Sequence, residues 1–207
     1  MLNNYKKDEN GVIYQLNVNK ILYDEDYVET RYNAYPTTSL MSHLRLGYLL
    51  GALENVPNSI LDVGYGNGDF LKTAQRMIKN CYGNDIEPAF PLPNNISYVK
   101  NIYDAHYDVV CFFDSLEHFD NIYEIKELKT DYIYISVPWC HYVDDKWFET
   151  WKHRRENEHL WHFNLSSLTN FMRSIGFEYI THSNVEDTIR KSDNNLPNIL
   201  TALFKKM

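Results

Sequence analysis

Residues 59–71 read SILDVGYGNGDFL and constrain the fold of this chain more than any other stretch. Ile60, Leu61 and Val63 make a short apolar run of strand length, after which Gly64, Gly66 and Gly68 break the pattern at alternate positions. From residue 68 to 79 the apolar positions, Phe70, Leu71, Ala74, Met77 and Ile78, return at helical spacing. The order is strand, glycine loop, helix. Such glycines allow tight or positive-φ backbone and let a ligand reach the main chain with no Cβ in the way.

Spacing narrows the choice of ligand. A nicotinamide-dinucleotide fingerprint GxGxxG needs its third glycine at position 69, which is Asp69 here, and no GK[ST] follows as a nucleoside-triphosphate loop requires. The pattern is instead DxGxGxG, led by Asp62. Asp85, at the end of the next strand-like segment, carries a carboxylate that can accept both hydroxyls of a ribose.

The remaining chain alternates strand and helix patterns, the signature of βαβ units around a mostly parallel sheet. A helix capped by Ser39 is expected over 39–54, with Leu40, Leu44, Tyr48, Leu49 and Leu53 sharing a face. Strands are expected at 60–63, 81–84, 96–99, 108–113 and 132–137; DVVCFF at 108–113 reads as a buried central strand. Pro88, Pro91 and Pro93 exclude a long helix between the second and third of these. Helices are expected over 121–129, 144–155 and 165–175, the last stopped by Gly176, followed by an antiparallel pair at 177–183 and 199–204. Residues 1–20 are polar and Asn-rich, and 12–16 form a short strand or stay loose.

At 207 residues one domain, 1–207, is expected, with 1–55 as an N-terminal lid and helical segment and 56–207 as the core. No apolar run approaches the roughly 18 residues of a membrane span, and the first residues lack a secretory pattern, so a soluble, cytoplasmic protein is expected. A net charge of −8 disfavours broad binding to nucleic acid or anionic membrane. Cys81, Cys111 and Cys140 lie far apart in apolar surroundings and read as buried hydrophobes. The basic run at 152–155 reads as a solvated helix face.

Taken together, LDVGYGNGDFL, GNDIEP, DVVCFFDSLEHF, YIYISVPW, EHLWHF and RSIGFEYI resemble the class I S-adenosylmethionine-dependent methyltransferases, and most closely their ubiquinone-biosynthesis-type O-methyltransferase branch. The resemblance spans about residues 40–205. It implies a Rossmann-like α/β fold of seven strands, mostly parallel with an antiparallel C-terminal strand and helices on both faces. S-adenosylmethionine is the implied cofactor. Gly64, Tyr65, Gly66 and Gly68 would then lie in the loop under its methionine part, with Asp62 fixing the amino group. Asp85 would hold the ribose, Ile86 would pack on adenine, and Asn101 would offer its carbonyl oxygen to the adenine amino group. Asp114 and Ser115 would stand near the methionine end, with Tyr32 and Tyr35 in a lid over the sulfonium. Two departures from the family pattern stand out. The proline run replaces a helix, and 127–131 lacks the usual glycine turn.

Methyl transfer from an activated sulfonium is an in-line displacement, so positioning dominates, with a general base where the acceptor must lose a proton. His118, His141 and His162 are the candidate bases. The expected acceptor is an oxygen or nitrogen of a small molecule. A rival reading uses Asp114, Glu117, His118 and His159 or His162 as ligands of a divalent ion, resembling the small-RNA 3′-end 2′-O-methyltransferases. A second rival is a non-catalytic module of the same fold.

Overall fold

The computed structural model describes residues 2–19, 38–86, 88, 90–191 and 195–207. The expected lid tyrosines, Tyr32 and Tyr35, lie outside the described residues. Ten strands are described: β1 (Tyr5–Lys7), β2 (Ile13–Gln15), β3 (Ser59–Val63), β4 (Asn80–Asn84), β5 (Ser97–Tyr98), β6 (His106–Phe113), β7 (Lys129–Pro138), β8 (Trp161–His162), β9 (Phe177–Ser183) and β10 (Ile199–Lys206). Among the described residues the α-helices are α1 (Thr38–Leu53), α2 (Asp69–Ala74), α3 (Asp145–Thr150) and α4 (Leu165–Ser174).

Seven strands form one sheet in the order β5-β4-β3-β6-β7-β10-β9. Pairing is parallel from β5 to β7, and β10 runs antiparallel to both β7 and β9. Alternate side chains of each strand enter opposite layers, as the two-residue strand period dictates. Val109, Cys111 and Phe113 of β6 join Leu46 and Leu49 of α1 and Phe70, Leu71 and Ala74 of α2 in one core. Val110 and Phe112 join Leu168, Phe171 and Met172 of α4 in the other. Helices therefore cover both faces, as expected.

The helices differ from their expected lengths. Residues 69–79 hold an α-helix only to Ala74, and 121–129 hold a short 3-10 helix, Ile122–Glu127, whose first turn is capped by Asn121 accepting from the Tyr123 N–H at 3.1 Å. With no glycine turn to absorb, β7 begins at Lys129, three residues earlier than its apolar run suggests. Helix α3 stops at Thr150, so the basic run at 152–155 is loop rather than helix face. His153 is buried against the Asn198 side chain (2.9 Å), Arg155 pairs with Glu158 (2.8 Å), and of the four only Lys152 is exposed. Helix α4 matches expectation at both ends, with a reciprocal Asn164–Ser167 capping box and Gly176 at φ +92°.

Helix α1 is rotated from its expected face. Leu40 is 61% exposed, while Met41, Leu46 and Leu49 are buried. The rotation brings Arg45 inward, where charged partners await it.

The N-terminal residues form a hairpin, β1-β2, whose second strand pairs with β8 in a separate three-stranded antiparallel sheet. Asparagine side chains clamp it. Asn4 Oδ1 accepts from the Asn17 N–H (2.9 Å), and Asn157 Oδ1 accepts from Gln15 Nε2 (2.7 Å) and the Asn19 N–H (2.9 Å). Beneath lies a small aromatic core of Tyr5, Ile13, Cys140 and Phe148 with Trp147 and Trp151 against it.

Candidate active site

From β3 the chain passes to β4 on one side, and it later returns as β6 on the other, so the carboxyl ends of β3 and β6 enclose a topological switch point. The glycine loop leaves β3 there. The Gly64 N–H donates to the Asn84 carbonyl (2.7 Å), and the Gly66 N–H donates to Asp85 Oδ2 (2.9 Å), tying the loop to the end of β4. Gly64, Gly66 and Gly68 all have positive φ, at 80°, 56° and 72°. At Gly64 a Cβ would lie 2.8 Å from the Ser115 Cβ, so only glycine permits this approach of loop to strand end. Gly83 serves the same crevice from beneath. Any Cβ there would strike Tyr65 at 2.9 Å and Leu92 at 3.0 Å.

Two buried polar atoms in this crevice have no partner: Asp62 Oδ1 and Ser115 Oγ. Burial raises the Asp62 carboxyl to about 7, with Asp85 adding to the rise and Arg45 opposing it. Such orphan groups are costly unless a ligand completes them. Ile86, beside Asp85, is 84% exposed, an apolar side chain that a flat ring would cover.

The other expected contacts are placed as follows. Tyr65 turns its side chain away into the core, with its hydroxyl donating to the Phe90 carbonyl at 2.9 Å, so only its main chain borders the loop. That bond, with Leu92 packed on Gly68, fastens the proline run beneath the cradle where a helix would otherwise lie. Asn101 is exposed and occupied in a turn, its carbonyl oxygen accepting from the Tyr103 N–H (3.2 Å) and its amide donating to Asp104 (2.6 Å).

Asp114 follows β6 with φ +52°. Arg190 donates to both its oxygens (2.9 and 2.7 Å), and Arg45 reaches it at 3.4 Å. Burial would raise this carboxyl, but the two arginines outweigh it and hold it below the usual range. Arg45 also binds Glu186 through two bonds (2.7 and 3.0 Å), and Arg190 lies 3.3 Å from the same fully buried carboxylate. This network joins α1, the end of β6 and the β9–β10 connection. Its members Arg45, Glu186 and Arg190 were not expected from sequence; the signals were a lone arginine among the leucines of α1 and a Glu-to-Arg pair at i, i+4.

The three candidate bases occupy different settings. His141 follows β7, stacks on Trp139 with ring centroids 5.5 Å apart, and is 2.7 Å from the Pro197 carbonyl through Nε2. That carbonyl can only accept, so Nε2 donates, and in the neutral ring the lone pair lies on Nδ1. His162 is enclosed by Tyr5, Phe148 and Trp151, and burial, then Arg154 and His153, lower it to about 3, a weak base. His118 stands edge-on to His159 at 4.7 Å between centroids.

A model of the methyltransferase domain family matches residues 38–182, which includes α1, β3 to β8, all but the last residue of β9, and the glycine loop with its crevice. The chain belongs to this methyltransferase family. It is an S-adenosylmethionine-dependent methyltransferase, and the glycine cradle with its orphan carboxylate and hydroxyl fits that cofactor. Among curated protein sequences none matches it. Solved structures share its fold at low identity. The plantazolicin methyltransferase BpumL, in complex with a triazolic desmethylPZN analog and SAH, aligns with TM-score 0.61 and 18% identity over 88% of this chain and 92% of its own. Magnesium protoporphyrin IX methyltransferase (ChlM) from Synechocystis PCC 6803, with bound SAH, gives 0.56 and 13% over 91% and 90%. A chain from the complex of the Haloferax volcanii Trm112 methyltransferase activator gives 0.64 and 12% over 90% and 99%. Among the described residues of the methyltransferase, no helix is long and apolar enough to cross a membrane.

Proposed function

We propose that the methyltransferase moves a methyl group from S-adenosylmethionine to an oxygen or nitrogen of a small molecule, in the manner of the ubiquinone-biosynthesis-type branch. The observation that carries this reading is the pair of unpartnered buried atoms, Asp62 Oδ1 and Ser115 Oγ, flanking three positive-φ glycines at the switch point. In this reading Asp62 receives the cofactor's ammonium, Asp85 its ribose hydroxyls, and Ile86 its adenine face. When bound, the sulfonium would supply a methyl carbon open to in-line attack by the acceptor's lone pair, with the S–CH3 pair returning to sulfur and the acceptor's proton passing to a base.

His141 is the best supported base of the three, because its Nδ1 lone pair is fixed by the Nε2 bond to Pro197. Trp139 on its face and Trp147 at its edge (6.3 Å) give this side of the site aromatic walls suited to a small, flat acceptor. Two solved structures of the same fold are named as methyltransferases of plantazolicin and of magnesium protoporphyrin IX, which supports the same class. The test is transfer of label from methyl-labelled S-adenosylmethionine to a panel of hydroxylated and aminated aromatic compounds, run beside RNA oligonucleotides. Label in an extractable small product, reduced at least tenfold by His141→Phe, is expected; label appearing only in RNA sinks the reading.

A further inference from the structure

Beyond the cofactor crevice, a second set of unsatisfied groups stands immediately after Ser115. Glu117 is 1% exposed, and neither carboxylate oxygen has a partner. His159 is 4% exposed, and its Nδ1 also has none. With His118 these residues place one carboxylate oxygen and two imidazole nitrogens within 4.8 Å of one another. Two segments distant in sequence are locked together to make this cluster. The Leu160 N–H donates to the Glu117 carbonyl at 2.8 Å, fixing the turn after β6 against the segment before β8 that carries His159.

A buried carboxylate and a buried imidazole that face each other unpaired are expensive, each orphan group costing about 1–3 kcal/mol. Apolar packing would remove the cost if nothing were bound. His159 Nε2 lies 3.8 Å from Glu158 Oε1, while Nδ1 has no partner and is open to an ion.

We propose that Glu117, His118 and His159 bind a divalent first-row transition ion. Donors about 2.1 Å from an ion stand at most about 4.2 Å apart, so the three need to draw in by roughly 1 Å. The half-buried His118 can supply that movement. Two imidazoles and one carboxylate suit Zn²⁺, Co²⁺, Mn²⁺ or Fe²⁺ and not Mg²⁺, which takes oxygen ligands. Asp114 is excluded from the set by Arg190 and Arg45, and His162 by its place in the N-terminal core. Three protein donors leave at least one position for water or an acceptor oxygen, within two residues of Ser115. Use of the ion in methyl transfer rests on the function proposed above; its binding does not.

The test uses the full chain, stripped with chelator and titrated with Co²⁺ followed by visible absorption, then with Zn²⁺ by calorimetry. One equivalent is expected, weakened about 100-fold or more in Glu117→Gln and in His159→Gln, with Mg²⁺ giving no heat. His106→Ala is the control, because among the described residues His106, Asp108 and Asp131 form the other possible group, with His106 and Asp131 exposed, and its loss should leave binding unchanged. Binding of S-adenosylhomocysteine by Glu117→Gln shows that the variant is folded. No bound Co²⁺ or Zn²⁺, equal binding in parent and both variants, or loss of binding in His106→Ala overturns the proposal. Metal bound without any S-adenosylhomocysteine binding by the parent would overturn the methyl-transfer reading and leave the metal site standing.

Discussion

Gly64→Ala separates the cradle from an ordinary loop by a single methyl group. At φ +80° a Cβ costs about 1–2 kcal/mol against the following carbonyl. The same Cβ would stand 2.8 Å from the Ser115 Cβ, which is fixed to the main chain at the end of β6 and cannot rotate away. Displacing it is an overpacking defect of about 1–3 kcal/mol. The sum is about 2–5 kcal/mol, and at about 2–4 °C per kcal/mol for a chain of this size the melting temperature should fall by about 4–20 °C. Gly47→Ala is the matched control. It lies on the exposed side of α1 with nothing within 4 Å of the added atom, so removing a helical glycine there should stabilise by about 0.5–1 kcal/mol. Thermal unfolding followed by circular dichroism reads both. A Gly64→Ala protein that melts within error of the parent, or below it by no more than Gly47→Ala shifts it, would refute the close approach on which the cradle depends.

Two further outcomes follow from the charges. The Asp62 carboxyl titrates near 7 in the folded chain against about 3.9 unfolded. The folded state keeps a proton that the unfolded state loses, so stability falls as pH rises from about 4 to 7, by about 4 kcal/mol at most. Asp62→Asn should remove that slope in pH-dependent urea melts and weaken S-adenosylhomocysteine; an unchanged slope would show that Asp62 does not carry the proton. Arg190→Met should destabilise by about 1–3 kcal/mol at pH 7, less than for a fully enclosed pair because Asp114 is 35% exposed. Asp114 is depressed, so its contribution is present above about pH 4 and lost as pH falls through its lower folded value. The gap between parent and variant should therefore narrow in acid, and a gap that persists there would mean that packing rather than charge holds the β9–β10 connection.

The sheet was legible because its signals are local. A run such as Val109 to Phe113 states both its burial and its period, and the glycine spacing located the crevice before any contact was known. The shorter helices were not legible. Residues 121–129 carry helical composition, but Asn121 caps a 3-10 helix that ends at Glu127, and β7 already starts at Lys129. Tertiary context overrode propensity there. The N-terminal hairpin was half seen, at 12–16, because its stability comes from clamps to residues about 140 positions away, such as Gln15 to Asn157. The Arg45–Asp114–Glu186–Arg190 network was missed for a related reason. Charged residues read as surface, and only their convergence from three elements makes them interior. Asp62, Gly64, Gly66, Gly68, Asp85 and Ser115 did come together as the spacing implied, whereas Asn101 is taken up in a turn and Tyr65 in the core.

The account depends above all on Asp85 and the loop it braces. Asp85→Asn keeps an oxygen for the Gly66 N–H, whereas Asp85→Ala removes both that brace and any ribose ligand. Isothermal calorimetry with S-adenosylhomocysteine should show one molecule bound per chain and an affinity about 10- to 150-fold weaker in Asp85→Ala, as expected for a hydrogen bond to a charged group worth about 1.5–3 kcal/mol. Asp85→Asn should fall between the two. No heat of binding with the parent chain, or the same affinity in parent and Asp85→Ala, would contradict the claim that this crevice holds the methyl donor.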